Sequence, residues 1–599
     1  MLPDFILALG ILLVIFPFLL VFSFSDRLKG ILVMSVVSIG FAICVPVLTE
    51  TLHIFGYASM CILYAVFDAI VFIFFLKRKG AISGIKIYIP FIVALAIVSY
   101  ELVSVHYGYT GQVETSNGVS TVIDDSYAYP QFSDEWVEAA IVSHAIETHS
   151  LPMTNPLAHG SPMPNLLLPF DSLIAGSFVL FGLSPISDFA ILAILFGLAA
   201  SVSLYIAGRC WGIGRFACTL SMLAIPFLTN SANLPGVWFL VPYIAATAPF
   251  FLMLAFLGKK DYVWATAAAF LSLVIYPPFA VFIAPTLLIG VFFELRGQLL
   301  DKMKASLPFL WPFAAGLLIG AILLLIKSSP SVALSYIQNA IFHASLDPGI
   351  PSYAIWNVIP DFVFPFIIIG FISIIKRRAF SVAAGTIVGI TYWIAYAYYS
   401  NVIIIEYPRI VMITSLILLL VASFGFDSFL LYFDRRLRLA YPPRAVSLIK
   451  ALAASATLVI FGIGVFWYPF NQKWQTFFTL IRNEYGTILI MPSLPINRYL
   501  APRELSVWQG IHGANFTAPP WKGLVIGAAT GNYPLESKPS TITVKTMPYA
   551  EFISADCAGK DALARRYSIS YAYSPPFECP GFVDIKESSE GLHLYRYDM

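Results

Sequence analysis

The sequence is broken into repeated blocks of about 16 to 24 uncharged, continuously apolar residues, a length suited to helices crossing a hydrocarbon core about 30 Å thick. A membrane β-barrel would instead need segments of about ten residues alternating apolar with polar, so the blocks specify helix. Hydrophobic residues make up 59% of the 599 positions and charged ones 11%. Soluble domains run at about 45–50% and about 25%. The blocks predict about fourteen spans, near residues 5–24, 30–49, 57–76, 86–106, 187–208, 215–230, 238–257, 261–276, 279–294, 306–326, 359–376, 380–399, 407–430 and 449–468. The first block lacks a basic flank and a cleavage site, and reads as a retained helix. Charges are expected to avoid the span centres. Cys44 and Cys61 fall inside apolar blocks and read as packing residues.

The net charge of +2 says little, but its distribution orients the chain. Every second connection carries the cations: Arg27 and Lys29, Lys77 to Lys79, Arg209 and Arg215, Lys259 and Lys260, Arg296 to Lys304, Lys376 to Arg378, and Arg435 to Arg444. Those connections are expected in the cytoplasm. The long connection from Tyr107 to Asp188 holds neither Lys nor Arg and is expected outside, as are both termini. This requires the apolar run 165–181 to lie along or re-enter the membrane without crossing it.

After Pro469 polar residues, Gly and Pro spread through the chain, and 470–599 reads as an extracytoplasmic soluble α/β domain. Strand-like runs are LVIGA (524–528), TITVKT (541–546), SISYAY (568–573) and LHLYRY (592–597); APRELSVWQGI (501–511) and DALARR (561–566) read as helices. Outside the cell Cys557 and Cys579 are either a disulfide or two reduced thiols.

The stretch 124–157 gathers acids, histidines and aromatics at the outer face. Ser133 suits the N-cap of a helix running to about residue 149, with Asp134 and Glu135 in its first turn. Carboxylates there stabilise the helix dipole by about 0.3–1 kcal/mol, which is one complete account of them. Asp124 and Asp125 form either a solvated turn before Pro130 or an oxygen-rich site for Mg²⁺ or Mn²⁺. His144 and His149 lack a tight metal-binding spacing. Trp136, Tyr127 and Tyr129 suit stacking on sugar faces, though aromatics belong at any membrane interface, which is the favoured account of them.

An external loop with Asp-Glu (134–135), an amphipathic helix, Leu-Pro and Asn-Pro (151–156), the segment PMPNLLLPFDSLIAGSFVLFGLSP (162–185), a span ending YIAGRCWGIGR (205–215), and RYSISYAYSPPFECPGFVDIKESSEGLHLYRYD (566–598) together resemble the GT-C glycosyltransferases. The resemblance covers residues 86 to 599. It implies a GT-C-like transmembrane core at 86–469 with its carboxylate-bearing external loop at 107–186, and leaves 1–85 as an added N-terminal module. The chain departs from the oligosaccharyltransferase branch, having no WWDxG-like motif in the soluble domain and no SVSE-like external motif, so transfer of a whole oligosaccharide to asparagine is not expected. The resemblance implies an inverting transferase in which Asp134, with Glu135 beside it, is the carboxylate base. A positioned base contributes about 10²- to 10⁴-fold.

A lipid phosphate outside the membrane needs a cation. In IIEYPRIVMI (404–413) Pro408 suits a first helical turn, which sets Arg409 beside free backbone N–H groups as a donor-phosphate site. A local pair with Glu406, or snorkelling, accounts for it equally. Lys327 is a weaker candidate for the phosphate, and 328–360, with Tyr336, His343, Asp347 and Trp356, is long enough for a lid.

The expectation is therefore a multi-pass protein of the cytoplasmic membrane that moves a sugar from a polyprenyl-phosphate donor to a glycan, lipid or protein acceptor on the outer face, with no nucleic-acid partner. The alternatives are a transporter or flippase for lipid-linked saccharide, and a noncatalytic GT-C-like scaffold.

Overall fold

The computed structural model of the chain describes residues 2–24, 26–77, 88–107, 109–115, 118–125, 129–163, 165–228, 234–290, 292–293, 355–360, 363–399, 405–467, 505–540, 542–588 and 591–598. The apolar blocks fold as helices. The first are α1 (Leu2–Ile15), α2 (Arg27–Thr51), α3 (Tyr57–Lys77) and α4 (Ile89–Tyr107). Asp26 caps α2, its carboxylate accepting the Leu28 and Lys29 N–H groups at 3.0 and 3.2 Å.

An antiparallel hairpin, β1 (Tyr109–Thr115) and β2 (Gly118–Asp125), follows α4 and has no counterpart in the sequence reading. Next come α5 (Ser133–Thr148), the two-residue pair β3 (Thr154–Asn155) and β4 (Ser161–Pro162), and α6 (Leu168–Phe181). At 14 residues, α6 is about 21 Å long, short of the about 30 Å that a crossing needs. It packs on α2 and α5, and Gly176 lets it approach α2 so closely that a Cβ there would collide with Pro46.

The bundle continues with α7 (Phe189–Cys210), α8 (Arg215–Ala224), α9 (Pro242–Gly258), α10 (Tyr262–Ile275) and α11 (Ala280–Pro285). Later in the chain lie α12 (Ile355–Val358), α13 (Phe364–Arg377), α14 (Phe380–Tyr399), α15 (Tyr407–Ala440) and α16 (Pro443–Trp467). Among the described residues five helices are long and apolar enough to cross a membrane: α2, the Tyr57–Phe74 part of α3, α7, α15, and Pro443–Ile460 of α16. The expected span 306–326 lies outside the described residues, and α8, with 10 residues, is about 15 Å long.

The apolar window of α15 is wholly buried, so it is the central helix, whereas that of α16 is almost bare. Rows of exposed apolar side chains, such as Ile62, Val66, Ile70 and Ile73 on α3 and Ile368, Ile372 and Ile375 on α13, suit lipid contact. This is a mostly helical membrane protein with a sheet-bearing C-terminal region. Contrary to expectation, acids do occur within the apolar helices: Asp68 sits in the middle of α3 and Glu101 inside α4, both buried.

The basic connections converge. Lys29 pairs with Asp261 at 2.6 Å and Lys259 with Asp26 at 2.9 Å, which brings residues 26–29 and 259–261 to one place. Arg377 likewise meets Asp427, which also accepts the Gly214 N–H at 2.9 Å.

The C-terminal region holds a five-stranded sheet in the order β6-β5-β7-β9-β8, formed by β5 (Asn515–Thr517), β6 (Tyr533–Pro534), β7 (Tyr571–Ser574), β8 (Phe582–Glu587) and β9 (His593–Tyr597). β5 runs parallel to β6 and β7, and the remaining pairs are antiparallel. The run 524–528, expected as a strand, belongs to helix α17 (Pro520–Thr530), because a short apolar run does not separate a buried strand from a buried helix. Gly523 and Gly527 line one side of α17, and a Cβ at Gly523 would collide with the Glu536 carbonyl. In 501–511 the described part is a 3-10 turn at Ser506–Trp508, and 541–546 contributes one bridge, Glu536 to Lys545. Two further helices, α18 (Tyr549–Ser554) and α19 (Cys557–Tyr567), complete the region, and Cys557 and Cys579 are disulfide-bonded.

This region is not a separate appendage. Leu524, Val525 and Ala528 of α17, with Ile542 and Val544, share one buried cluster with Trp136, Val137, Ala140 and Ile141 of α5.

Candidate functional site

Two elements distant in sequence build the site. Phe132 stands at the N-cap of α5 with no side-chain cap, so Ser133 is the first helical residue and not the cap that its type suggested. Asp134 follows with 47% of its side-chain surface open. Pro408 opens α15 with its preset φ, and Arg409 lies in that first turn.

Arg409 uses all three nitrogens. Nε pairs with Glu406 Oε2 at 3.0 Å, Nη1 donates to the Tyr276 hydroxyl at 3.1 Å, and Nη2 stands 3.7 Å from Asp134 Oδ2. The guanidinium also lies 5.9 and 5.8 Å from the ring centres of Tyr243 and Tyr276. The local pair with Glu406 and the long-range approach to Asp134 thus coexist. Protein atoms surrounding Asp134 raise its carboxyl above the ordinary aspartate value by desolvation; Arg409 and Lys538 pull it down and Glu406 pushes it up.

Glu135 has a different place. It is fully buried, and its carboxylate accepts the Gln131 N–H and the Leu240 N–H, both at 2.7 Å. Burial pushes its carboxyl up to about 8, against the backbone hydrogen bonds that favour the charged form. Expected beside the base, Glu135 instead bolts the start of α5 to the segment before α9. Gln131 Nε2 donates to His106 Nδ1 at 2.7 Å, and His106 Nε2 donates to the Trp238 carbonyl at 3.1 Å, so the same junction is also tied to α4.

One turn beyond Asp134, Glu138 is buried and hydrogen-bonded to Asp171 of α6. Asn165 Nδ2 donates to the other Asp171 oxygen at 2.5 Å. With both carboxyls ionised, Glu138 Oε2 and Asp171 Oδ1 would be buried without a donor. A proton held between them satisfies both. Burial first, then Asp171, holds the Glu138 carboxyl well above the usual range.

The other predicted residues are distributed as follows. Trp136 has no exposed surface and packs against α17, which corrects its assignment to sugar stacking: residues 136, 137, 140 and 141 form the face that α5 turns to the C-terminal region. Asp125 ends β2 opposite Tyr109, with Asp124 before it, and their side chains lie outside the described set, as do Tyr127 and Lys327. Among the described residues no group of three or more His, Cys, Asp or Glu is arranged to hold a metal ion. His149 Nδ1 donates to the Phe55 carbonyl at 2.5 Å. Trp356, on the proposed lid segment, stands edge-on to Trp393, which donates to the Tyr407 hydroxyl at 2.8 Å.

Four contributors escaped the sequence reading: Tyr243, Tyr276, Glu138 and Lys538. Lys538 Nζ, from the C-terminal region, donates to Ser133 Oγ at 3.1 Å and lies 3.4 Å from the centre of the Trp521 ring.

No family model matches the chain, and no curated protein matches it. Among solved structures it is similar to the oligosaccharyltransferase of Archaeoglobus fulgidus, at 14% identity over 81% of this chain and 69% of that one, with a TM-score of 0.45 for the form tethered to an acceptor peptide. The form in complex with an inhibitory peptide and a dolichol-phosphate gives 0.43 over the same shares. The complex with Zn and sulfate, also 14% identical, gives 0.43 over 80% of this chain and 68% of that one.

Proposed function

We propose that the chain is a glycosyltransferase of the GT-C type, moving a sugar from a polyprenyl-phosphate carrier to an acceptor hydroxyl at the extracytoplasmic face of the membrane. The observation that carries this reading is the approach of Asp134 Oδ2 to Arg409 Nη2 at 3.7 Å, across 275 positions of sequence. An open carboxylate and a guanidinium at a helix N-terminus are the base and the phosphate clamp that such a transfer needs. Arg409 lies 18 residues along α15 from Asp427, about 27 Å, so the pair sits far from the end where Arg377 and Gly214 meet. The Cys557–Cys579 disulfide supports an oxidising, extracytoplasmic setting for the C-terminal region.

In this reading the donor phosphate takes Arg409 and parts it from Asp134. The acceptor oxygen then attacks the anomeric carbon on the face opposite the phosphate. The new C–O bond forms as the bond to the phosphate oxygen breaks, the electron pair leaving with the phosphate and Arg409 stabilising its charge. Asp134 takes the hydroxyl proton, and the anomeric configuration inverts. Glu406 and the two tyrosines hold Arg409 in place before the donor arrives.

The test is transfer by the purified protein offered a panel of polyprenyl-phosphate sugars, comparing wild type with Asp134→Asn and Arg409→Ala, each with EDTA and with added Mg²⁺ or Mn²⁺. Wild-type turnover lost in both variants is the expected result. Full turnover in both would remove the site, and no turnover with any donor would favour transport or a scaffold.

A further inference from the structure

The C-terminal region reaches the site through Lys538. The Lys538 N–H donates to the Pro520 carbonyl at 2.8 Å, anchoring residue 538 to the start of α17. Its side chain crosses the Trp521 ring, and Nζ donates to Ser133 Oγ, a contact spanning 405 positions. Ser133 Oγ has a single proton, and it points to Asp134 Oδ1 at 3.4 Å. That is long for an O–H···O bond, a weak contact that orients the hydroxyl toward the carboxylate.

The direction of this relay is set by chemistry. An ammonium only donates, so the serine oxygen accepts from Lys538 and its hydroxyl is left to donate onward. Asp134 Oδ1 is thereby engaged from the C-terminal side, while Oδ2 faces Arg409. When Arg409 turns to the donor phosphate, Oδ2 alone is released.

We infer that Lys538, acting through Ser133, is a positioning residue for the transfer: it holds Asp134 Oδ1, leaves Oδ2 as the oxygen that receives the acceptor proton, and supplies the cation that remains beside the base once Arg409 has moved. This makes the C-terminal region part of the reacting site, and as a role in transfer it rests on the function proposed above. Charged and titratable groups facing Asp134 come from each neighbouring element: Arg409 and Glu406 on α15, Lys538 beyond β6, Glu135 and Glu138 on α5, Tyr243 on α9 and Tyr276 after α10. Of these only Arg409 and Lys538 favour the ionised form of Asp134.

The test uses the full chain with Lys538→Met, Lys538→Arg and Ser133→Ala, and two readouts. The first is the pH dependence of modification of Asp134 by a water-soluble carbodiimide, which attacks the protonated carboxyl and needs no turnover. The second is the pH profile of kcat/KM with a polyprenyl-phosphate sugar. Removing the cation raises the Asp134 value, so Lys538→Met moves the labelling midpoint and the acid limb to higher pH, and Lys538→Arg restores both. Ser133→Ala keeps the charge but frees Oδ1, lowering kcat at the plateau by about tenfold, a part of what a positioned base supplies.

A midpoint unmoved in Lys538→Met overturns the inference. Hydrogen exchange over 520–530 reports whether the region stays docked; if Lys538→Met releases it, Lys538→Gln, which keeps a donor to Ser133 without charge, is read in its place. A moved midpoint in a protein that transfers no sugar sinks the proposed function and leaves the electrostatic coupling standing. Transfer with an unmoved midpoint sinks this inference alone.

Discussion

Glu135 Oε1 accepts the Leu240 N–H at 2.7 Å, a bond across 105 positions that fixes the first turn of α5 to the entry of α9. Because the other oxygen holds the Gln131 N–H, Glu135→Ala leaves two backbone donors unpaired. Each orphaned buried donor costs about 1–3 kcal/mol, so the variant is expected to lose about 2–6 kcal/mol. Thermal unfolding in detergent measures that loss. Glu135→Gln keeps one acceptor but turns an amide NH₂ toward the other N–H, and is expected to fall between the two proteins. A Glu135→Ala protein as stable as wild type would deny Glu135 this role.

Arg409 divides its donors among Glu406, Tyr276 and Asp134. A lysine presents one compact ammonium and does not span that fork. Arg409→Lys is expected to bind sugar-free polyprenyl phosphate about 10- to 100-fold more weakly, about 1.4–2.8 kcal/mol. Tyr276→Phe removes one neutral acceptor and costs about 1 kcal/mol, or about fivefold. Because both act on one network, the double variant is expected to lose less than the sum. Binding titrations on the four proteins read this directly, and simple additivity would place Tyr276 outside the phosphate site.

Asp134 and Arg409 were each legible in the sequence, one from an acidic pair at the head of an amphipathic segment and the other from Pro408 beside it. Their meeting was not, because it depends on how α15 threads the bundle. Periodicity marked α5 as a helix but not which side of it meets α17, so Trp136 read as an open aromatic when it is a packing residue. The run 524–528 is apolar enough for a buried strand, and only Pro520 and the close approach at Gly523 reveal the helix. Lys538 sits in Glu-Ser-Lys-Pro-Ser, a stretch that reads as a loop; its role arises from docking, which no local pattern encodes.

The Glu138–Asp171 pair makes stability depend on pH. The folded Glu138 value lies well above its unfolded value of about 4.5, set by burial and then by Asp171. A group raised on folding contributes stability that is fully present below the unfolded value and is lost as pH rises through the folded one. Melting temperature is therefore expected to fall as pH rises across the window between the unfolded and the folded value, and to level off above it. Glu138→Gln, which keeps a donor for Asp171 Oδ1 without titrating, should flatten the fall. Superimposable melting curves for wild type and Glu138→Gln across the window would show that no proton is shared there.

The Cys557–Cys579 bridge closes a loop with a separation of 22 residues and ties the start of α19 to the segment before β8. In the chain-entropy account, closing a loop of that length constrains the unfolded chain by about 3 kcal/mol. The Cys557→Ser, Cys579→Ser double variant is expected to lose about that much in the cluster of Phe552, Phe577, Phe582 and Tyr595, where the bridge packs. Hydrogen exchange over 549–598 reports it. The shared cluster of α5 and α17 lies outside this loop, so exchange over 133–148 is expected to stay at the wild-type level. Loss of protection in both segments together would mean that the C-terminal region and α5 open as one cooperative unit, and that the bridge guards the site itself.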